Sequence, residues 1–125
     1  MKLFVALTAA LFLGITSTVY AQDPDPEDFT PEGYTFCGWK DFTTGQWQTE
    51  WDESLAGAFL RAFADGMTCR DARRATTRTL TRQLPPYAPY RPGYRCKRLV
   101  NDHEYSDVRC VKIGGSRMYR FQTGA

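Results

Sequence analysis

Four cysteines, Cys37, Cys69, Cys96 and Cys110, constrain this chain more than any other feature, and their meaning depends on the residues ahead of them. Met1 to Ala21 has an early Lys2, an apolar run from Leu3 to Ile15, and a Val19-Tyr20-Ala21 end. That order is the pattern of a secretory signal peptide, so residues 1–21 are set apart from the fold. The run is short for a membrane span. No second apolar stretch follows, so the expectation is a secreted chain with no transmembrane segment after processing. Removing 21 of the 125 residues leaves 104, enough for one domain. A domain of that size buries a modest share of its surface and often needs staples. An even number of cysteines in an exported chain predicts two disulfides. A zinc site is the rival, but there is no C-x-x-C pair and the only histidine is His103. No metal and no cofactor are therefore expected.

The clearest helix signal runs from Thr68 to Leu84, TCRDARRATTRTLTRQL. Thr68 and Asp71 make the pattern of a capping box, in which the threonine hydroxyl accepts from a backbone N–H of the first turn. Cys69, Ala72, Thr76, Leu80 and Leu84 recur on one face at helical spacing. Pro85 and Pro86 end the segment, because proline cannot donate and restricts its predecessor. Arg70, Arg74, Arg78 and Arg82 stand four apart, with Arg73 beside them. Like charges at that spacing repel by a few tenths of a kcal/mol per pair. Water and salt, an acidic segment of the chain, or an anionic partner would each offset that repulsion.

Strands are read on both sides of the helix. Tyr34 to Trp39 and Gln46 to Trp51 alternate enough for two of them. Their tryptophans, Trp39, Trp47 and Trp51, suit a core or sheet face, and alternatively an aromatic platform for glycan or peptide. Ser54 to Asp65 is helical by propensity, yet its Phe59, Arg61, Phe63 alternation permits a strand. Pro85 to Pro92 is an extended spacer. Tyr94–Val100 and Tyr105–Lys112 form a hairpin about Asn101-Asp102-His103-Glu104, and Arg117–Gln122 adds a third strand after the Gly114-Gly115 turn. With His103 at the middle of the turn, Cys96 and Cys110 face each other, at the Cβ spacing a disulfide wants. The favoured pairing is then Cys96–Cys110, with Cys37–Cys69 by elimination. The crossed alternative, Cys69 to Cys96 or to Cys110, stays open. The fold class expected is α+β, with one main helix packed on a small antiparallel sheet.

Charge is divided along the chain. Residues 22–65 carry ten acids against Lys40 and Arg61, whereas residues 66–125 carry 13 basic residues against four acids. Residues 22–33 are acidic and proline-rich and read as an extended or flexible leader ahead of a domain over 34–125. The leader either folds back on the arginine ladder or merely keeps the chain soluble.

Four short motifs carry a resemblance. They are Cys37-Gly38; Gly66-Met67-Thr68-Cys69-Arg70-Asp71-Ala72-Arg73-Arg74; Gly93-Tyr94-Arg95-Cys96; and Val108-Arg109-Cys110 followed by a glycine turn and an aromatic strand. Over roughly residues 36–122 the chain resembles a small four-cysteine domain of secreted, uncharacterised actinobacterial proteins. It departs at Thr68, where serine is usual, and in a longer middle segment. The resemblance implies an extended conformation for Ser54–Asp65, and it implies fold and export, with no activity to transfer.

No catalytic arrangement is legible. His103 sits beside Glu104 in a turn, and neither Ser54, Ser106 nor Ser116 lies in a nucleophile elbow. The leading expectation is a non-catalytic binding module presenting a basic face. Arg70, Arg73, Arg74, Arg78 and Arg82, together with Arg95, Lys97, Arg98, Arg109 and Lys112, would meet an anionic partner. A cell-envelope polymer, anionic lipid headgroups, an acidic protein or nucleic acid all fit, with no motif specific for nucleic acid. The alternative is a small secreted hydrolase or inhibitor working through the His103-Glu104 turn.

Overall fold

The computed structural model describes residues 25–52, 55, 58–81, 88–102 and 104–124. The export-type leader, Arg82, the proline stop at Pro85-Pro86 and His103 lie outside these residues. In chain order the elements are α1 (Pro26–Phe29), β1 (Thr35–Lys40), β2 (Trp47–Gln48), β3 (Phe59–Asp65), α2 (Cys69–Thr81), β4 (Tyr94–Asn101), β5 (Tyr105–Lys112) and β6 (Met118–Gly124). The strands form one antiparallel sheet in the order β2-β1-β3-β6-β5-β4.

The expected small sheet is therefore larger than the sequence suggested. The C-terminal hairpin and its third strand are as expected, but β6 also pairs along its whole length with β3. It welds the two halves into six strands, and the described residues are mostly sheet with one long helix. The ambiguous segment before Asp65 is a strand from Phe59 onward. The second expected strand shrinks from Gln46–Trp51 to Trp47–Gln48.

Alternation along the strands divides the sheet into two faces. On one face Leu60, Ala62, Ala64, Val108, Cys110, Tyr119 and Phe121 form the core with Ala72 and Ala75 of α2. Small side chains on both surfaces let the helix lie close to the strands. The capping box is half realised: Asp71 N–H donates to Thr68 Oγ1 at 3.2 Å, and Ala72 N–H donates to the Thr68 carbonyl at 3.0 Å. Thr79 is buried, and its hydroxyl donates to the Ala75 carbonyl at 2.8 Å, so its oxygen accepts from the Tyr119 hydroxyl at 2.6 Å. That bond fixes the helix against β6. Burial in this apolar setting pushes the Tyr119 phenol up to about 12, against which the Thr79 bond acts.

Both favoured disulfides are present. Cys37–Cys69 ties β1 to the first residue of α2 with Cα atoms 5.0 Å apart. Cys96–Cys110 joins directly paired residues of β4 and β5, with Cα atoms 4.0 Å apart. Gly38 lies beside Cys37 at a bulge, with φ 111°, and a Cβ there would come within 2.8 Å of the Gln48 carbonyl oxygen. Only glycine lets β2 close on β1 at that point.

The opposite face is aromatic and polar. Phe36, Trp39, Phe59 and Phe63 form its aromatic part, and Phe29 of α1 sits on it, 5.3 Å from the Phe36 and Trp39 ring centroids. The described part of the acidic leader, residues 25–33, thus includes a capped turn docked on the sheet, where a flexible or extended leader was expected. Asp25 accepts from Glu27 N–H at 3.0 Å, and Pro26 begins the turn, so four residues suffice to present Phe29.

Candidate functional site

The arginine ladder is only partly a free surface. Arg70, Arg74 and Arg78 project from α2 as exposed residues. Arg73 is half-buried, and its Nε donates to the Cys37 carbonyl. It braces β1 against the helix beside the disulfide, so its role is structural. The fifth member, Arg82, lies outside the described residues.

Two further arginines join the ladder in space. Arg91, ahead of β4, and Arg117, ahead of β6, line one cavity of about 240 Å³ together with Arg74 and Arg78. Asp71 and Tyr94 complete the parts of the wall that matter here. Among the described residues, none of the four guanidiniums is held in an ion pair. Arg91 lies 6.0 Å from the Tyr94 ring centroid, and its Nε is closed off from solvent without an acceptor. That leaves the Arg91 Nε–H a buried donor in want of an acceptor. Four positive groups against the one carboxylate of Asp71 give this cavity a positive potential.

Sequence reasoning missed Arg91 and Arg117 because each looks like an ordinary loop cation. The signal that could have found them is positional. Arg91 and Arg117 each precede a strand whose nearby residues, Tyr94 and Tyr119, turn toward α2. The ring centroids of those two tyrosines are 5.3 Å apart.

The basic strands do not extend the same surface. Cys96, Cys110 and Tyr119 share the α2 face through their register. By alternation, Arg95, Lys97 and Arg109 stand on the opposite face, and the expected single basic face is split by the sheet. Lys112, paired with Tyr94, stays on the α2 side.

That opposite face has its own polar network. Arg120 donates to both oxygens of Asp107 at 2.8 and 2.7 Å, and Gln122 donates to the same carboxylate at 3.1 Å. Arg61 Nε then donates to the Gln122 side-chain oxygen Oε1 at 2.6 Å, while its guanidinium lies 4.1 Å from the Phe29 ring centroid. The hydrogen bond to Asp107 holds the Arg120 guanidinium above its usual range, and burial lowers that of Arg61. Asp107 is matched by Arg120, and Arg61 is held by the Gln122 amide and the Phe29 ring, which makes this chain of contacts a structural buttress across three strands.

The tryptophans form no shared platform. Trp39 is 3 % exposed and packs on Trp51 at 4.8 Å, whereas Trp47 packs on the helix-side core. Of the alternative His103-Glu104 site, only Glu104 is described. It is exposed, and its N–H donates to Asp102 at 3.4 Å. All four cysteines are consumed in disulfides, and no cluster of metal-ligating side chains occurs among the described residues. Likewise, no described helix is long and apolar enough to cross a membrane.

The fold and surface thus define a disulfide-stapled, antiparallel-sheet domain with one arginine-faced helix. Comparison with known proteins finds no matching family model, no matching curated protein and no matching solved structure.

Proposed function

We propose that this protein is a secreted binding module that meets an anionic partner, such as a cell-envelope polymer or an acidic macromolecule, through the α2 side of its sheet. The observation that carries the reading is the convergence of Arg74, Arg78, Arg91 and Arg117 on one cavity, with Arg70 exposed on the same helix. Two disulfides suit an oxidising, extracellular compartment, in keeping with the export pattern at the N-terminus. Kinship with the small four-cysteine secreted domains of actinobacteria belongs to the same proposal, on the strength of the four motifs. The reading is non-catalytic, in keeping with four cysteines that are all held in disulfides and offer no thiol nucleophile.

The test is salt-dependent retention on a carboxylate cation-exchange matrix. Replacing Arg70, Arg74 and Arg78 together by glutamine should move elution to clearly lower salt, since each contact made by counterion displacement is salt-sensitive. Unchanged elution of a folded variant would reduce the ladder to a solvated face.

A further inference from the structure

Resting on that reading and narrowing it, we infer that the cavity between α2 and the residues ahead of β4 and β6 is a receptor for a phosphomonoester group. Charge comes first. Four guanidiniums against the carboxylate of Asp71 leave three positive charges unmatched around one cavity. A carboxylate or a phosphodiester brings a single negative charge to such a site. A phosphomonoester brings about −1.5 to −2 at pH 7 and three strong acceptor oxygens. Guanidinium forks match those oxygens in pairs, which ammonium groups cannot do, and all four cations here are arginine.

Size comes second. The cavity of about 240 Å³ is smaller than the roughly 300–1,000 Å³ of sites that enclose drug-sized ligands. It suits one compact charged group whose carbon skeleton extends along the Tyr94 wall. Preorganisation comes third. Arg91 lies over the Tyr94 ring at 6.0 Å, and its buried Nε–H has no acceptor of its own. Arg74 and Arg78 stand on a helix whose base is fixed by the Cys37–Cys69 bridge and whose body is fixed by the Thr79–Tyr119 bond. The backbone that carries these arginines is therefore set before binding, and the ordering cost that remains is that of the exposed side chains.

Two sources share this chemistry: a soluble sugar phosphate and a phosphomonoester lipid headgroup. Isothermal titration of the disulfide-bonded protein with ribose 5-phosphate addresses the first. Flotation with phosphatidylcholine vesicles carrying phosphatidic acid addresses the second. Binding to either supports the inference, and binding to neither at millimolar phosphate overturns it. A monoester with a second pKa near 6 is about one-tenth dianion at pH 5, so affinity should fall about tenfold between pH 8 and pH 5. Inorganic sulfate, whose charge is fixed over that range, is the control for titration of the protein itself. Equal pH profiles for the two ligands count against the inference.

Arg78→Gln and Arg117→Gln, both exposed, should each weaken binding about tenfold or more, the worth of a charge-assisted hydrogen bond. Arg95→Gln/Lys97→Gln, on the opposite face, should stay within about twofold of the parent. Equal losses from the two sets overturn the site. Retention on the carboxylate matrix separates the two proposals. If retention persists with no phosphate binding, the cavity inference falls and the broader surface reading stands. If both are absent, both fall.

Discussion

Removal of the Cys37–Cys69 bridge tests the energetic basis of the fold most sharply. The bridge spans a sequence separation of 32 residues, against 14 for Cys96–Cys110. In the chain-entropy treatment, closing loops of those lengths removes freedom from the unfolded chain worth about 3.7 and about 3.0 kcal/mol. The longer loop also contains β2 and β3, so its loss frees most of the N-terminal half of the sheet in the unfolded ensemble. Cys37→Ala/Cys69→Ala should therefore destabilise by about 4 kcal/mol, with a small addition for the sulfur volume lost at Cys37, which is 0 % exposed. For a domain of this size, that is a fall in Tm of roughly 15–30 °C. Total stability is typically about 5–15 kcal/mol, so the variant should remain folded near room temperature or stand at the margin. The assay is thermal unfolding by circular dichroism without reductant, run beside Cys96→Ala/Cys110→Ala. A drop of only a few degrees, or a larger loss from the shorter loop, would refute the reasoning and place the stabilisation in local packing.

Tyr119→Phe should cost about 1 kcal/mol at neutral pH through the lost hydrogen bond, while Thr79 keeps its bond to the Ala75 carbonyl. The phenol is held above its unfolded value, so its stabilising contribution is whole below about pH 10 and is lost as pH rises towards 12, by roughly 3 kcal/mol in all. Urea unfolding at pH 8 and pH 11 should accordingly show a smaller alkaline decline in the phenylalanine variant than in the parent. Asp107→Ala strips the acceptor from both Arg120 and Gln122 and should cost about 3 kcal/mol, discounted from a fully buried pair because Arg120 is partly exposed. Adding Arg120→Met to that variant should restore part of the loss in the same unfolding measurement. Phe29→Ala opens the aromatic face around Phe36, Trp39 and Phe63 and should cost about 2–3 kcal/mol, while removal of an undocked leader residue would cost nothing measurable.

Local patterns carried far in this sequence, and long-range pairing did not. The helix start at Thr68, the hairpin register through Cys96 and Cys110, and the β6 alternation all follow from neighbours in the chain. The β3–β6 ladder joins residues about sixty positions apart, such as Arg61 and Gln122, and no local periodicity encodes it. That ladder is what turns a small hairpin into a six-stranded sheet. Phe29 was hidden for a related reason. An acidic, proline-rich stretch has too little apolar area to fold alone, but a single ring can dock once the sheet supplies an aromatic surface. The candidate site was half legible. The helix spacing puts Arg74 and Arg78 on one exposed face of α2, but a charge count cannot tell which cations the fold consumes. Arg73 is spent on the Cys37 carbonyl, and Arg95, Lys97 and Arg109 fall behind the sheet. Arg91 and Arg117 reach the site only through tertiary structure.

A charge-matched comparison of the two faces bears most directly on the claim that binding belongs to the α2 side. Arg74→Gln/Arg78→Gln/Arg117→Gln and Arg95→Gln/Lys97→Gln/Arg109→Gln each remove three positive charges and leave the same net charge. The quantity to measure is the salt concentration at which each variant leaves an immobilised anionic envelope polymer. The account predicts early release of the first variant and near-parental release of the second. Equal shifts in both would mean that overall charge, with no particular surface, governs the interaction.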